Sequence, residues 1–269
     1  MVATLEAPMP ARRYQHALEY QYRTFHRRRY VRPDPLQCLY DYADPADQEV
    51  VGLVAATLAY GRVKQILRSV GTVLERIGPQ PARFVNDATP DRLARALAGF
   101  KHRFTTGDEM AALLAGAGRV RRRSGSLGAC LARAVRPGDE TIIPALAALA
   151  GELRGSRQAS SLLSDVAKGS ACKRLHLLLR WMVRRDEVDP GPWRSVPPGL
   201  LVVPLDTHLH AIARALGLTA RRAADARTAL EVTRAFRAVA PDDPVRYDFS
   251  LTRLGIHPDA RPCEFLARM

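Results

Sequence analysis

Residues 164–193 read SDVAKGSACKRLHLLLRWMVRRDEVDPGPW, and this stretch decides the fold. Gly169 opens it as a turn, since glycine enters backbone conformations closed to other residues. Cys172, Leu175, Leu178, Leu179, Met182 and Val183 then recur at helical spacing on one face. Lys173, His176, Arg180 and Arg184 fall on the opposite, polar face. The spacing predicts an amphipathic helix with a lysine in its first turn, ended by a Pro/Gly-rich connector.

Beyond the connector, residues 200–218 read LLVVPLDTHLHAIARALGL. Leu209, Ile212, Ala213 and Leu216 form a helical stripe, and Asp206 precedes it as a favoured N-cap. Residues 200–205 can pass for one short strand. Asp206, His208 and His210 also offer three metal ligands, but residues two apart diverge by roughly 200° on a helix, so there only Asp206 and His210 converge.

Upstream, residues 47–78 read as two successive helices: one around Val50 to Ala59, apolar on nearly every side, and one from Val63 to Ile77, stopped by Gly78-Pro79. Shorter helices follow around Ala82 to Val85 and Asp91 to Ala98, from Thr106 through Ala115, and from Thr141 to Leu153. Residues 116–128 read as a Gly/Ser-punctuated basic loop carrying Arg119, Arg121, Arg122 and Arg123, suited to phosphate contacts or to disorder. The opening segment through Pro35, with Arg27, Arg28 and Arg29 in a row, reads as a helix, a DNA-contacting arm or a solvated face. No long period-two alternation argues for a sheet, and apolar content leaning on Ala and Leu favours helix. The fold class expected is all-α.

Of 269 residues, 41 are basic and 27 acidic, leaving +14. Such a surplus attracts phosphate backbones and makes nucleic acid the leading partner, although an arginine-biased composition without a partner reads the same. Only Lys64, Lys101, Lys168 and Lys173 are lysines. Arginine donates bidentately to phosphate but does not give up its proton to become a nucleophile, so a lysine in this chain draws notice for its amine. Cys38, Cys130, Cys172 and Cys263 lack zinc or iron–sulfur spacing, so neither metal nor cofactor is expected. The N-terminus lacks an apolar signal core and no stretch approaches the ~18 apolar residues of a membrane helix. A cytoplasmic, nucleoid-associated monomer is expected.

The run Gly169-Ser-Ala-Cys-Lys173, followed by Leu205-Asp206-Thr207-His208 and Ile212-Ala213-Arg214, resembles the active-site region of the helix-hairpin-helix, GPD-type DNA glycosylases, which include endonuclease III and the 8-oxoguanine glycosylases. VGLVAATLAYGRVKQIL looks like that family's early core helix and YDFSLTRLGIHP like its late helix. The whole chain looks closer still to an uncharacterised bacterial group within or near this superfamily. The resemblance implies two helical lobes around a DNA-holding cleft: residues 46–199 as one lobe, residues 200–269 with the basic segment 1–45 as the other. It implies Lys173 and Asp206 as catalytic residues. Three departures stand out: Ala171 replaces the second hairpin glycine, the Lys173–Asp206 separation of 206 − 173 = 33 residues is longer than in endonuclease III, and a C-terminal cysteine cluster is absent. The longer separation looks more like the archaeal 8-oxoguanine glycosylases.

The implied chemistry explains these residue types. A damaged base must be rotated out of the duplex before it can be displaced from the sugar C1′. A neutral lysine amine, favoured by burial or neighbouring cations such as Arg174, attacks C1′ and forms a Schiff base. A nearby carboxylate stabilises the cationic sugar. Expected DNA contacts are Lys168, Gly169, Ser170, Arg174, Tyr60, Arg62, Arg121 and Arg122; Trp181 and Trp193 are the expected stacking surfaces for an extruded base. The function expected is a DNA glycosylase with lyase activity on double-stranded DNA. The alternatives are a non-catalytic DNA-structure binder and a metal-dependent hydrolase using Asp206, His208 and His210.

Overall fold

The computed structural model of the chain describes residues 13–154, 161–256 and 265. Expectations for residues 1–12, for the polar link at 155–160 and for Cys263 lie outside them. The described chain is all-α apart from one two-stranded hairpin, β1 (Lys101–His102) with β2 (Thr105–Thr106). Among the described residues, no helix is long and apolar enough to cross a membrane.

The helices in chain order are α1 (Gln15–Phe25), α2 (Pro45–Thr57), α3 (Val63–Ile77), α4 (Pro81–Asp87), α5 (Pro90–Ala96), α6 (Gly107–Ser124), α7 (Leu127–Ala134), α8 (Ile143–Arg154), α9 (Lys173–Val183), α10 (Thr207–Ala215), α11 (Ala226–Arg237) and α12 (Asp248–Ile256). Local chemistry sets their starts. Asp44, Thr89, Thr106, Ser126, Asp206 and Asp225 each cap a helix by accepting a first-turn backbone N–H. Pro45, Pro81 and Pro90 occupy first turns, where no N–H is needed.

α2 is the central post, with every residue from Glu49 to Thr57 buried. α9 packs along it, and one hydrophobic cluster runs from Ala17 to Phe265. α1 packs on α12, where Gln21 Nε2 donates to the Ser250 carbonyl at 2.9 Å. Helices from the two ends of the described chain thus close on one another.

Residues 116–124 are not a loop: they complete α6, which the Thr106–Glu109 capping box starts. Gly116 serves packing there, because a Cβ on it would stand 2.0 Å from the Leu153 carbonyl oxygen. Small residues let α6 and α8 touch backbone to backbone. Arg121 is consequently buried, not a phosphate contact. Its guanidinium pairs with the buried carboxylate of Glu49, which also accepts from the Gly128 N–H at 3.1 Å and from Trp193 Nε1 at 2.7 Å. Trp193 and the fully buried Trp181 are core residues, so neither offers a face to an extruded base. Residues 201–205 are buried but form no strand; Val203 N–H is satisfied by Thr233 Oγ1 at 3.1 Å, and the Leu205 N–H turns back to the Val203 carbonyl at 2.8 Å.

Candidate active site around Lys173 and Asp206

A cavity of about 300 Å³ opens where Arg32–Pro35, the turn after α2, the N-terminal half of α9, the start of α10 and α12 meet. Such a volume suits a small ligand or one extruded group. Its charged and polar lining includes Lys173, Arg180, Asp206, His208, Asp248 and Arg253.

Lys173 arrives there because the preceding turn reverses the chain within four residues. Gly169 has φ +75°, and Cys172, the N-cap of α9, sits in the left-handed region at φ 44° and ψ 36°. The second left-handed position therefore falls on Cys172, one residue past Ala171. Ser170 Oγ accepts the Cys172 N–H at 3.3 Å, and Gly169 and Ser170 pair with Ala226 and Asp225 at the start of α11. The approach to α9 is thereby stitched to the C-terminal third. Before it, the described chain has only a single 3-10 turn, Val166–Lys168.

Asp206 arrives as the N-cap of α10, its Oδ1 accepting the Leu209 N–H at 2.8 Å. Its other oxygen, Oδ2, lies 3.7 Å from Lys173 Nζ, with both side chains partly open to solvent. The connector between α9 and α10, whose Trp193 anchor rests on Glu49, folds the second helix start back onto the first. A carboxylate that caps through one oxygen and faces an amine with the other is held in orientation before any ligand arrives.

The remaining expected contacts divide. Lys168 is exposed, 3.8 Å from Asp165, and Arg62 and Arg122 are exposed, Arg122 donating to the Asn86 carbonyl at 2.7 Å. Arg174 is spent internally, donating to the carbonyls of Thr57 at 2.8 Å and Ser161 at 2.6 Å, with its guanidinium 5.1 Å from the Tyr60 ring centroid. It braces the Tyr60 turn rather than reaching outward. Tyr60 lines the cavity, bonds Thr105 Oγ1 at 2.7 Å, and stacks on Phe104 at 4.9 Å between ring centroids. Phe104, at the tip of the hairpin, is 61% exposed. A large exposed ring is unusual, and sequence reasoning passed it over because one aromatic in a polar turn carries no periodic signal. Gly61, at φ +95°, keeps the turn open beside Arg103.

The three ligands Asp206, His208 and His210 do not converge. His210 Nε2 bonds the Arg221 carbonyl at 3.0 Å, and the described trio with converging ligand atoms is instead His26, Asp186 and Asp189. That trio already holds its cations: Asp189 pairs with Arg180 and Arg184, and Asp186 with Arg184 and His26. It is an ion-pair cluster.

The polar face read on α9 is mostly interior. His176, Arg180 and Arg184 are buried. Arg180 donates to Asp189 at 3.2 Å and to Asp248; Arg184 reaches Asp243 at 3.0 Å and Asp186 at 2.7 Å as well as Asp189. Arg253 extends the network to Asp34 at 3.2 Å and the Tyr30 carbonyl at 3.1 Å. Burial raises the Asp248 carboxyl to about 6 against the opposing pull of Arg180. Burial pushes His176 down to about 4, so its imidazole is neutral at pH 7. Asp248 and Arg180 are the site residues that sequence reasoning missed. The available signal was a pair of arginines four apart on an otherwise apolar helix, too many charges for a core face unless acids elsewhere meet them.

Residues 34–257 match the family described as "Protein of unknown function (DUF2400)". The chain belongs to that family. Neither the curated proteins nor the solved structures yield a match.

Proposed function

We propose that the protein is a DNA glycosylase with abasic-site lyase activity, of the helix-hairpin-helix GPD type, acting on a damaged base in double-stranded DNA. The observation that carries the reading is the 3.7 Å approach of the Lys173 amine to the Asp206 carboxylate on the wall of an open cleft. Residues 46–199 form one side of that cleft in this reading, and the N-terminal segment with the C-terminal helices forms the other.

In the reaction, the Nζ lone pair attacks C1′ of the extruded nucleotide while the bond from C1′ to the base breaks, its electron pair leaving with the base. Asp206 stabilises positive charge on the sugar and takes the proton that Nζ releases. Ring opening gives an iminium ion between Nζ and C1′. Removal of a C2′ proton then expels the 3′ phosphate, and water hydrolyses the remaining iminium to free the lysine. The exposed Phe104 over Tyr60, with Arg62 at the start of α3, offers an aromatic and cationic edge to the duplex beside the cleft.

Borohydride reduction in the presence of duplex DNA containing an abasic site tests the reading. A covalent adduct is expected with the native chain and none with Lys173→Gln. Salt-sensitive DNA binding without any adduct would replace it with the non-catalytic binder.

A further inference from the structure

A guanidinium and a carboxylate that meet in a protein interior commonly close two parallel hydrogen bonds. Arg180 and Asp248 close only one, from Nη1 to Oδ2. Arg180 Nη2 and Asp248 Oδ1 are both buried with no hydrogen-bond partner. Both side chains line the cleft that holds Lys173 and Asp206. An orphaned buried donor and an orphaned buried acceptor each carry a desolvation cost, which a ligand offering the complementary edge would relieve.

Resting on the glycosylase reading of this cleft, the geometry points to Asp248 and Arg180 as the pair that selects the extruded base by a cyclic amide edge. Asp248 Oδ1 accepts the ring N–H and Arg180 Nη2 donates to the adjacent carbonyl oxygen. The charges favour this class of base over an aminopurine. A ring amide N–H is more acidic than an exocyclic amino group and binds a carboxylate better, and a carbonyl oxygen is a strong acceptor for a guanidinium. The cluster also explains why the pair holds its place with two arms open: Asp189 fixes Arg180 through Nε, and the ring of Phe249 lies 5.6 Å from its guanidinium carbon.

Titration calorimetry of the full chain with hypoxanthine, 1-methylhypoxanthine and adenine tests the assignment, since these purines differ only at the edge in question. Hypoxanthine is expected to bind about tenfold or more tightly than the other two, because a site built to hydrogen-bond a group rejects analogues lacking it. Asp248→Asn, its fold checked by thermal melting, is expected to lose that preference. Equal affinity for the three bases, or no binding of any, in the native chain overturns the proposal without recourse to a variant. Persistence of the preference in folded Asp248→Asn overturns the role of Asp248. Adduct formation by the native chain on abasic DNA, which contains no base, reports separately on the Lys173 chemistry.

Discussion

Asp206 divides its two oxygens between a helix cap and an amine: Oδ1 holds the Leu209 N–H at 2.8 Å, and Oδ2 faces Lys173 Nζ at 3.7 Å. The two roles are separable by substitution. Asp206→Ala removes both and is expected to cost about 1 kcal/mol in urea unfolding, the usual worth of a cap. Asp206→Ser keeps a capping oxygen and is expected to match the native stability. Both should slow adduct formation on abasic DNA about 100-fold. Native adduct rates in Asp206→Ser would remove the carboxylate from the mechanism.

Glu49 binds three donors inside the core, from Arg121, Gly128 and Trp193. Glu49→Leu leaves the Arg121 guanidinium buried without its carboxylate, an expected loss of about 3–5 kcal/mol. The exposed pair of Arg123 with Glu152 at 2.7 Å makes the control; Arg123→Ala should leave the denaturant midpoint essentially unchanged. Denaturant midpoints for the two variants check both values.

The His176 imidazole titrates about 4 in the fold against 6.5 ordinarily. The unfolded chain therefore takes up the proton first as pH falls. Stability contributed by the neutral ring is complete above pH 6.5 and is lost between 6.5 and 4, a difference of about 3 kcal/mol. Asp248, raised from 3.8 to about 6, acts in the opposite sense, losing stability as pH rises through that interval. It is common to native protein and to His176→Leu, so the difference between their stability-against-pH curves isolates the histidine. A flat difference from pH 7 to 4 would contradict the buried neutral ring.

Exposed cations beside the cleft should govern the salt dependence of DNA binding. Arg62→Ala and Lys168→Ala are each expected to reduce the slope of log affinity against log salt by about 0.9, the value for one phosphate contact. Anisotropy titrations over a range of sodium chloride concentrations give the slopes. Unchanged slopes in both variants would move the DNA path elsewhere.

The helical framework was legible because caps and periodicity are local. Asp206 as an N-cap and α3 from Val63 to Ile77 are written in residues three or four apart. The errors share a cause: burial depends on partners distant in sequence. Arg121 sits in a basic run that looks solvated, and only Glu49, 72 residues earlier, makes it interior. Gly116 and Gly118 imitate loop punctuation, yet Gly116 admits a neighbouring backbone and Gly118 stands beneath the Val85 carbonyl. Arg180 and Arg184 read as a polar face because two of their acids, Asp243 and Asp248, come from 59 and 68 residues further on. Of the candidate site, Lys173 and Asp206 were singled out through the family resemblance of their turns, whereas Asp248 and Phe104 had no local pattern to announce them.

The ion-pair cluster on α9 gathers its members from the whole length of the chain: Asp34 through Arg253, then His26, Asp186, Asp189, Asp243 and Asp248. During synthesis on a ribosome, Arg180 and Arg184 emerge well before α12. Until α12 docks, Arg180 lacks Asp248, and Gln21 of α1 lacks the Ser250 carbonyl. The wall of the cleft made by Asp248, Thr252 and Arg253 is therefore the last part of it to be synthesised, and a chain truncated before α12 presents the lysine of α9 without that wall.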